Sequence, residues 1–144
     1  MSESLSKSNI EGSLIRVKFR IGRWGYINES GENALGIEFK YIDDWSSSNM
    51  VRVKFLNGRW GYVNEKGEKV FGIEFKYADG FYRDIARVKF LNGRWGYINK
   101  SGENAFGAEF KSVGRFYEGS AKVKYLNGKR GYLSIYGASM AKSE

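Results

Sequence analysis

Three sets of residues in this sequence have the types and spacing to do chemistry. Arg16, Lys18 and Arg23 return as Arg52, Lys54 and Arg59, and again as Arg87, Lys89 and Arg94. Cations repeated in this way neutralise phosphates or pair with carboxylates, which makes the ladder a candidate partner-binding stripe. Trp24, Trp60 and Trp95 recur in the same phase, and their flat rings could stack on sugars or bases. Glu32, Glu68 and Glu103 each follow a glycine. Carboxylates can act as acids or bases, but a catalytic group is normally unique, whereas a structural residue repeats with its unit. Asp43-Asp44 and Asp79 offer fewer oxygens than a calcium loop supplies. The chain contains no His and no Cys. That excludes the Ser-His-Asp triad, the cysteine nucleophile and the usual zinc sites. The expectation is a non-catalytic protein with no cofactor and no metal.

The spacing of these residues comes from an internal repeat. Arg16-Val17-Lys18-Phe19 recurs as Arg52-Val53-Lys54-Phe55, as Arg87-Val88-Lys89-Phe90 and, more loosely, as Lys122-Val123-Lys124-Tyr125, at offsets of 36, 35 and 35 residues. Each block leads through a turn to Arg23-Trp24-Gly25-Tyr26, Arg59-Trp60-Gly61-Tyr62 or Arg94-Trp95-Gly96-Tyr97; the last copy reads Lys129-Arg130-Gly131-Tyr132 and has lost its Trp. Gly31, Gly67, Gly102 and Gly137 follow in phase. Three copies then carry a Gly-x-Glu-Phe-Lys segment, ending at Lys40, Lys76 and Lys111. A repeat of this period marks a tandem array.

The turns predict hairpins. Asn57-Gly58 lies between two alternating runs, the strongest short signal for a two-residue loop with positive φ. With that loop, Phe55 faces Trp60 and Val53 faces Tyr62. The apolar face then holds Val53, Phe55, Trp60 and Tyr62, while Arg52, Lys54 and Arg59 lie opposite with Gly61. By extension Phe19, Phe90, Trp24, Trp95, Tyr26 and Tyr97 are expected in the structural core. Gly25, Gly61 and Gly96 are expected as gaps in the cationic face, where a ligand backbone could approach. Ile73 and Phe75 alternate with Glu74 and Lys76, which predicts a third strand. Each repeat thus reads as a three-stranded meander with an aromatic connector.

An isolated hairpin is marginal in water, so stability should come from stacking, with altered units at the ends. The expected fold class is all-β: tandem hairpin or meander repeats of about 35 residues stacked as an open, twisted β-solenoid. The alternative is a small closed β-propeller. Glu11-Gly12-Ser13 matches Glu118-Gly119-Ser120, which puts partial repeats at both ends and favours the open form. The expected organisation is one domain over 1–144: a disordered tail at 1–7, repeats at 8–44, 45–80 and 81–115, and a partial repeat or cap at 116–144. The exposed last strand leaves room for end-to-end self-association.

A net charge of +8 favours acidic partners. No apolar run reaches the roughly 18 residues of a membrane span. The polar start from Met1 to Ser8 lacks a signal-peptide core, so the expected location is cytoplasmic.

The residues quoted above resemble the bacterial WG (or KWG) repeat. Phe116-Tyr117-Glu118-Gly119-Ser120-Ala121 matches its lead-in, and Asn92-Gly93-Arg94-Trp95-Gly96-Tyr97-Ile98-Asn99 matches its signature. The resemblance extends from about Glu11 to Gly137. The chain departs from the family in having no Pro, where members carry a Pro pair before the third segment. The resemblance implies a β-rich interaction module. The hairpin chemistry is also similar to choline- and glycan-binding repeats, which are shorter and usually secreted. The functional expectation is a scaffold that engages a protein partner through an extended surface with a basic stripe. Nucleic acid or an acidic glycan is the alternative ligand.

Overall fold

The turn chemistry of each hairpin decides the register of its sheet. Phe55 N–H donates to the Arg59 carbonyl at 2.7 Å, and Gly58 N–H donates to the Phe55 carbonyl at 2.9 Å. The loop is therefore three residues, Leu56, Asn57 and Gly58, closed by Gly58 at φ 91°. The Asn57 side chain caps it by accepting from Arg59 N–H at 2.9 Å. A left-handed glycine after such a turn is the other common hairpin solution. It adds one residue to the expected loop and shifts the pairing by one.

The computed structural model describes residues 4–10, 14–44 and 49–140. Residues 1–3 of the expected tail, the Glu11-Gly12-Ser13 match and the last four residues lie outside them. The described part is all-β apart from a single 3-10 turn at Ile135–Gly137. Four antiparallel sheets of three strands follow in sequence order. The first joins β1 (Ser4–Ile10), β2 (Leu14–Arg20) and β3 (Arg23–Ile27); the second joins β4 (Tyr41–Ile42), β5 (Val51–Lys54) and β6 (Trp60–Val63). The third joins β7 (Tyr77–Ala78), β8 (Ile85–Lys89) and β9 (Trp95–Asn99); the fourth joins β10 (Ser112–Val113), β11 (Ser120–Lys124) and β12 (Arg130–Ser134). None closes into a barrel. Residues 4–7, expected to be tail, belong to β1. Its pairing to β2 is made by backbone groups, for which a polar sequence is no obstacle.

The observed pairs are Lys54 with Trp60, Val53 with Gly61, Arg52 with Tyr62 and Val51 with Val63. The same register holds for Arg16 with Tyr26 and Arg87 with Tyr97. Because side chains alternate at period two, a slip of one exchanges the face on which β6 displays its residues relative to β5. Trp60 and Tyr62 therefore share a face with Arg52 and Lys54 rather than opposing them. The other face carries Val51, Val53 and Phe55 over Gly61 and Val63.

The glycines of the Trp-Gly pairs are not gaps for a ligand. A Cβ built on Gly61 would lie 2.7 Å from Phe55 Cε2, and one on Gly96 would lie 2.8 Å from Phe90 Cε2. The phenyl rings fill that space. Gly61→Ala and Gly96→Ala should each destabilise by about 1–3 kcal/mol through overpacking. Urea unfolding checks this, and adding Phe55→Leu to Gly61→Ala should recover part of the loss.

The third apolar run is not one strand of its own repeat. In the first copy Phe39 makes an isolated bridge to Trp24, and the chain then continues as β4, which pairs with β5 of the following hairpin. The segment thus stitches two successive sheets. A repeat boundary at 44 and 45 accordingly cuts through the second sheet. Phe39 is buried, but Ile37 is 43% exposed, so the expected shared face of that alternation is absent.

The chain divides into two compact units, Met1–Ile73 and Glu74–Glu144. The first holds two sheets around Tyr26, Phe39, Ile42, Val53 and Val63. The second holds two around Ile85, Tyr97, Phe110, Val113 and Val123. No helix in the described residues is long and apolar enough to cross a membrane.

Candidate partner-binding surface

The inner cations of the predicted stripe are built into the fold. Arg52 lies 4.7 Å from the Trp60 ring centroid and makes a bidentate pair with Asp43, at 3.0 Å for both Nε and Nη2. Arg87 lies 5.1 Å from Trp95, donates to Asp79 at 2.9 Å and to the Val113 carbonyl at 3.2 Å. Arg16 lies 4.5 Å from Trp24, pairs with Asp44 at 2.9 Å and donates to the Ile42 carbonyl at 2.8 Å. Each guanidinium is held between an indole face and a carboxylate, a geometry that suits its planar fork. These side chains are mostly covered. Lys54 and Lys89 flank the same indoles, each 5.7 Å from the centroid.

Asp79 is the most enclosed carboxylate of this arrangement. Its side chain is 10% exposed and takes the Tyr77 hydroxyl at 2.7 Å and Arg115 at 3.3 and 3.4 Å. Burial alone raises its pKa, but the Tyr77 hydrogen bond, Arg87 and Arg115 outweigh it and leave the carboxyl below its usual range. The tyrosines of the Trp-Gly-Tyr motif are the deepest aromatics. Tyr26 donates to the Asp43 carbonyl at 2.6 Å, and Tyr97 donates to the Gly114 carbonyl. Burial pushes the Tyr97 hydroxyl pKa up, with Arg87 offsetting it in part. The Trp rings are only half-buried.

The outer cations meet the recurring glutamates. Arg23 is 3.6 Å from Glu38, and Arg94 is 3.7 Å from Glu109. Pairs this long and exposed contribute little to stability, so their cations can exchange partners. Arg59 is exposed in the equivalent place. Glu32, Glu68 and Glu103 instead accept from Asn28, Asn64 and Asn99 across the turns, at 3.4, 3.0 and 3.3 Å. They clasp turns, and Asp43, Asp44 and Asp79 are engaged by arginines rather than poised around a cation.

A feature the sequence reading missed is the hairpin tip. Leu56, Leu91 and Leu126 are 45%, 45% and 47% exposed; in the first copy Arg20 holds that position, and the neighbouring Ile21 is 89% exposed. Scattered apolar side chains on a surface need no explanation, but three at one phase form a pattern. Within the first unit both tips lie at one edge. The linking segment touches Trp24 through Phe39 and the Lys54 carbonyl through Lys40 N–H, and both contacts lie near the loops. Phe110 and Lys111 make the same contacts in the second unit. The tips carry Arg59, Arg94 or Lys129 three residues after the leucine, and Arg23 two residues after Ile21.

The family model described as the WG containing repeat matches three consecutive stretches of this chain, residues 24–60, 60–95 and 95–129. No curated protein matches it. Among solved structures, the computationally designed Ika4 protein is 10% identical with a TM-score of 0.42, covering 90% of this chain and 88% of its own. The computationally designed Ika8 protein is 12% identical with a TM-score of 0.43; that similarity covers 91% of this chain and 45% of Ika8.

Proposed function

This chain belongs to the WG-containing repeat family, and on that premise we propose that it is a non-catalytic scaffold that engages a protein partner through the hairpin tips of each unit. The observation that carries this reading is the in-phase exposure of Leu56, Leu91 and Leu126, each beside an exchangeable cation. Packing within the fold does not require an apolar residue at a loop tip. Covering one large aliphatic side chain is worth roughly 1.5–3 kcal/mol if it is fully desolvated, and repetition lets each unit offer the same modest contact. The mixture of aliphatic and basic groups suits an acidic protein surface with apolar pockets. The inner arginines support this surface by fixing the sheets beneath it.

The test compares the chain with a Leu56→Ser, Leu91→Ser variant and an Arg59→Ala, Arg94→Ala variant. Proteins enriched on the unaltered chain are identified, purified and titrated against all three. The expected result is at least tenfold weaker binding for the leucine variant and a smaller loss, dependent on salt, for the arginine variant. Thermal midpoints should stay unchanged. A partner that binds all three equally would remove the tips from the interface.

A further inference from the structure

The fourth sheet departs from the others in a coordinated way. At the positions of Asp79, Arg87, Trp95 and Tyr77 it carries Gly114, Lys122, Arg130 and Ser112. Strands β11 and β12 pair Lys124 with Arg130 and Lys122 with Tyr132, and β10 sets Ser112 opposite Lys124. Directly paired residues share a face, so these five side chains, with Ser134 beyond them, form one surface. Its reverse carries Ala121, Val123 and Val113, which are buried.

The third sheet neutralises this surface internally and covers it with rings. Here the carboxylate is gone, and none of the six residues is acidic. Among the described residues Lys122, Lys124 and Arg130 form no ion pair. Tyr132 is 68% exposed, whereas Tyr97 at the same position is fully covered.

We propose that this face binds single-stranded nucleic acid, with Lys122, Lys124 and Arg130 on the phosphates and Tyr132 as a stacking platform for a base. Cations on alternate residues stand about 6.6 Å apart along a strand, and those on paired strands stand about 5 Å apart. That array presents two or three charges to an extended backbone. Ser112 and Ser134 add hydroxyl donors. An open, flat face with an exposed ring favours unstacked bases over a duplex, which hides its base faces. An acidic peptide would use the cations and leave the ring idle, so the ring distinguishes the two ligands.

The experiment is fluorescence anisotropy with a labelled 12-nucleotide polyuridylate and the full chain at low and moderate salt. The probes are repeated as a duplex of equal length, as heparin and as a polyglutamate peptide. Binding of the single strand should weaken with salt at a log–log slope of roughly −2, from about three phosphate contacts. Tyr132→Ala should weaken it about tenfold and Tyr132→Phe should leave it intact. A Lys122→Gln, Lys124→Gln, Arg130→Gln variant should abolish it, whereas Lys40→Gln with Lys76→Gln should not. Far-UV circular dichroism checks that each variant is folded. No binding at low salt overturns the proposal. So does binding that is indifferent to Tyr132→Ala, or duplex, heparin or polyglutamate binding of equal strength.

Discussion

Replacing Asp79 with alanine is expected to destabilise the second unit by about 3 kcal/mol or more, the cost of removing one partner from an enclosed ion pair. Three groups converge on this carboxylate: the Tyr77 hydroxyl and the guanidinium groups of Arg87 and Arg115. Without it, Arg87 keeps its contact with Trp95 and with the Val113 carbonyl but carries an uncompensated charge in a mostly covered position. Asp43→Ala should cost less, because the Asp43 side chain is 27% exposed, against 10% for Asp79, and water can reach Arg52 more easily. The order of the two losses in urea unfolding is the check; equal losses would mean that enclosure is not what makes Asp79 matter. The same carboxylate gives an acid dependence. Its folded pKa lies below the unfolded value, so its stabilisation is present above the unfolded pKa of about 3.9. It is lost as pH falls through the lower, folded value. Below pH 4 the unaltered chain should therefore lose stability more steeply than Asp79→Asn.

The repeat, its period and the existence of the hairpins were legible in the sequence because they depend on local pattern. Alternation survives any register, and Asn-Gly marks a turn whichever loop it closes. The register was not legible from that dipeptide alone. Asn57 and Gly58 fit a two-residue loop, but the fold uses them as the last two residues of a three-residue loop. The difference of one residue brings Trp60 and Arg52 onto a common face and turns the cationic stripe from a free surface into a structural one. A signal for the correct register was present. In the fourth copy the equivalents of Asp79, Arg87 and Trp95 change together, to Gly114, Lys122 and Arg130, as residues in mutual contact would. The third strand was misjudged for a different reason: Phe39 and Tyr41 serve two sheets, and a pattern read within one repeat does not disclose a shared segment. The tips escaped notice because an apolar loop residue has no periodicity to reveal whether it is buried.

Coupling within the triad gives the second large expectation. Trp95→Arg alone should cost roughly 3 kcal/mol, since it removes a half-buried ring from the core and sets a second guanidinium beside Arg87. Arg87→Lys alone replaces a planar fork that bridges Asp79, Trp95 and the Val113 carbonyl with a point charge that cannot make all three contacts. Asp79→Gly alone strands Arg87. Each single change damages an arrangement the other two still require. The triple variant reproduces the combination that the fourth sheet carries and leaves no half of a pair behind. It should therefore cost less than the sum of the three singles by about 1–3 kcal/mol, the range seen for groups in one network. Urea unfolding followed by far-UV circular dichroism, with the slope compared across all four variants, measures this directly. Additivity within about 0.5 kcal/mol would mean that the three residues act independently. The altered fourth sheet would then be an accumulation of separate substitutions rather than the exchange of one interlocked unit for an open, cationic face.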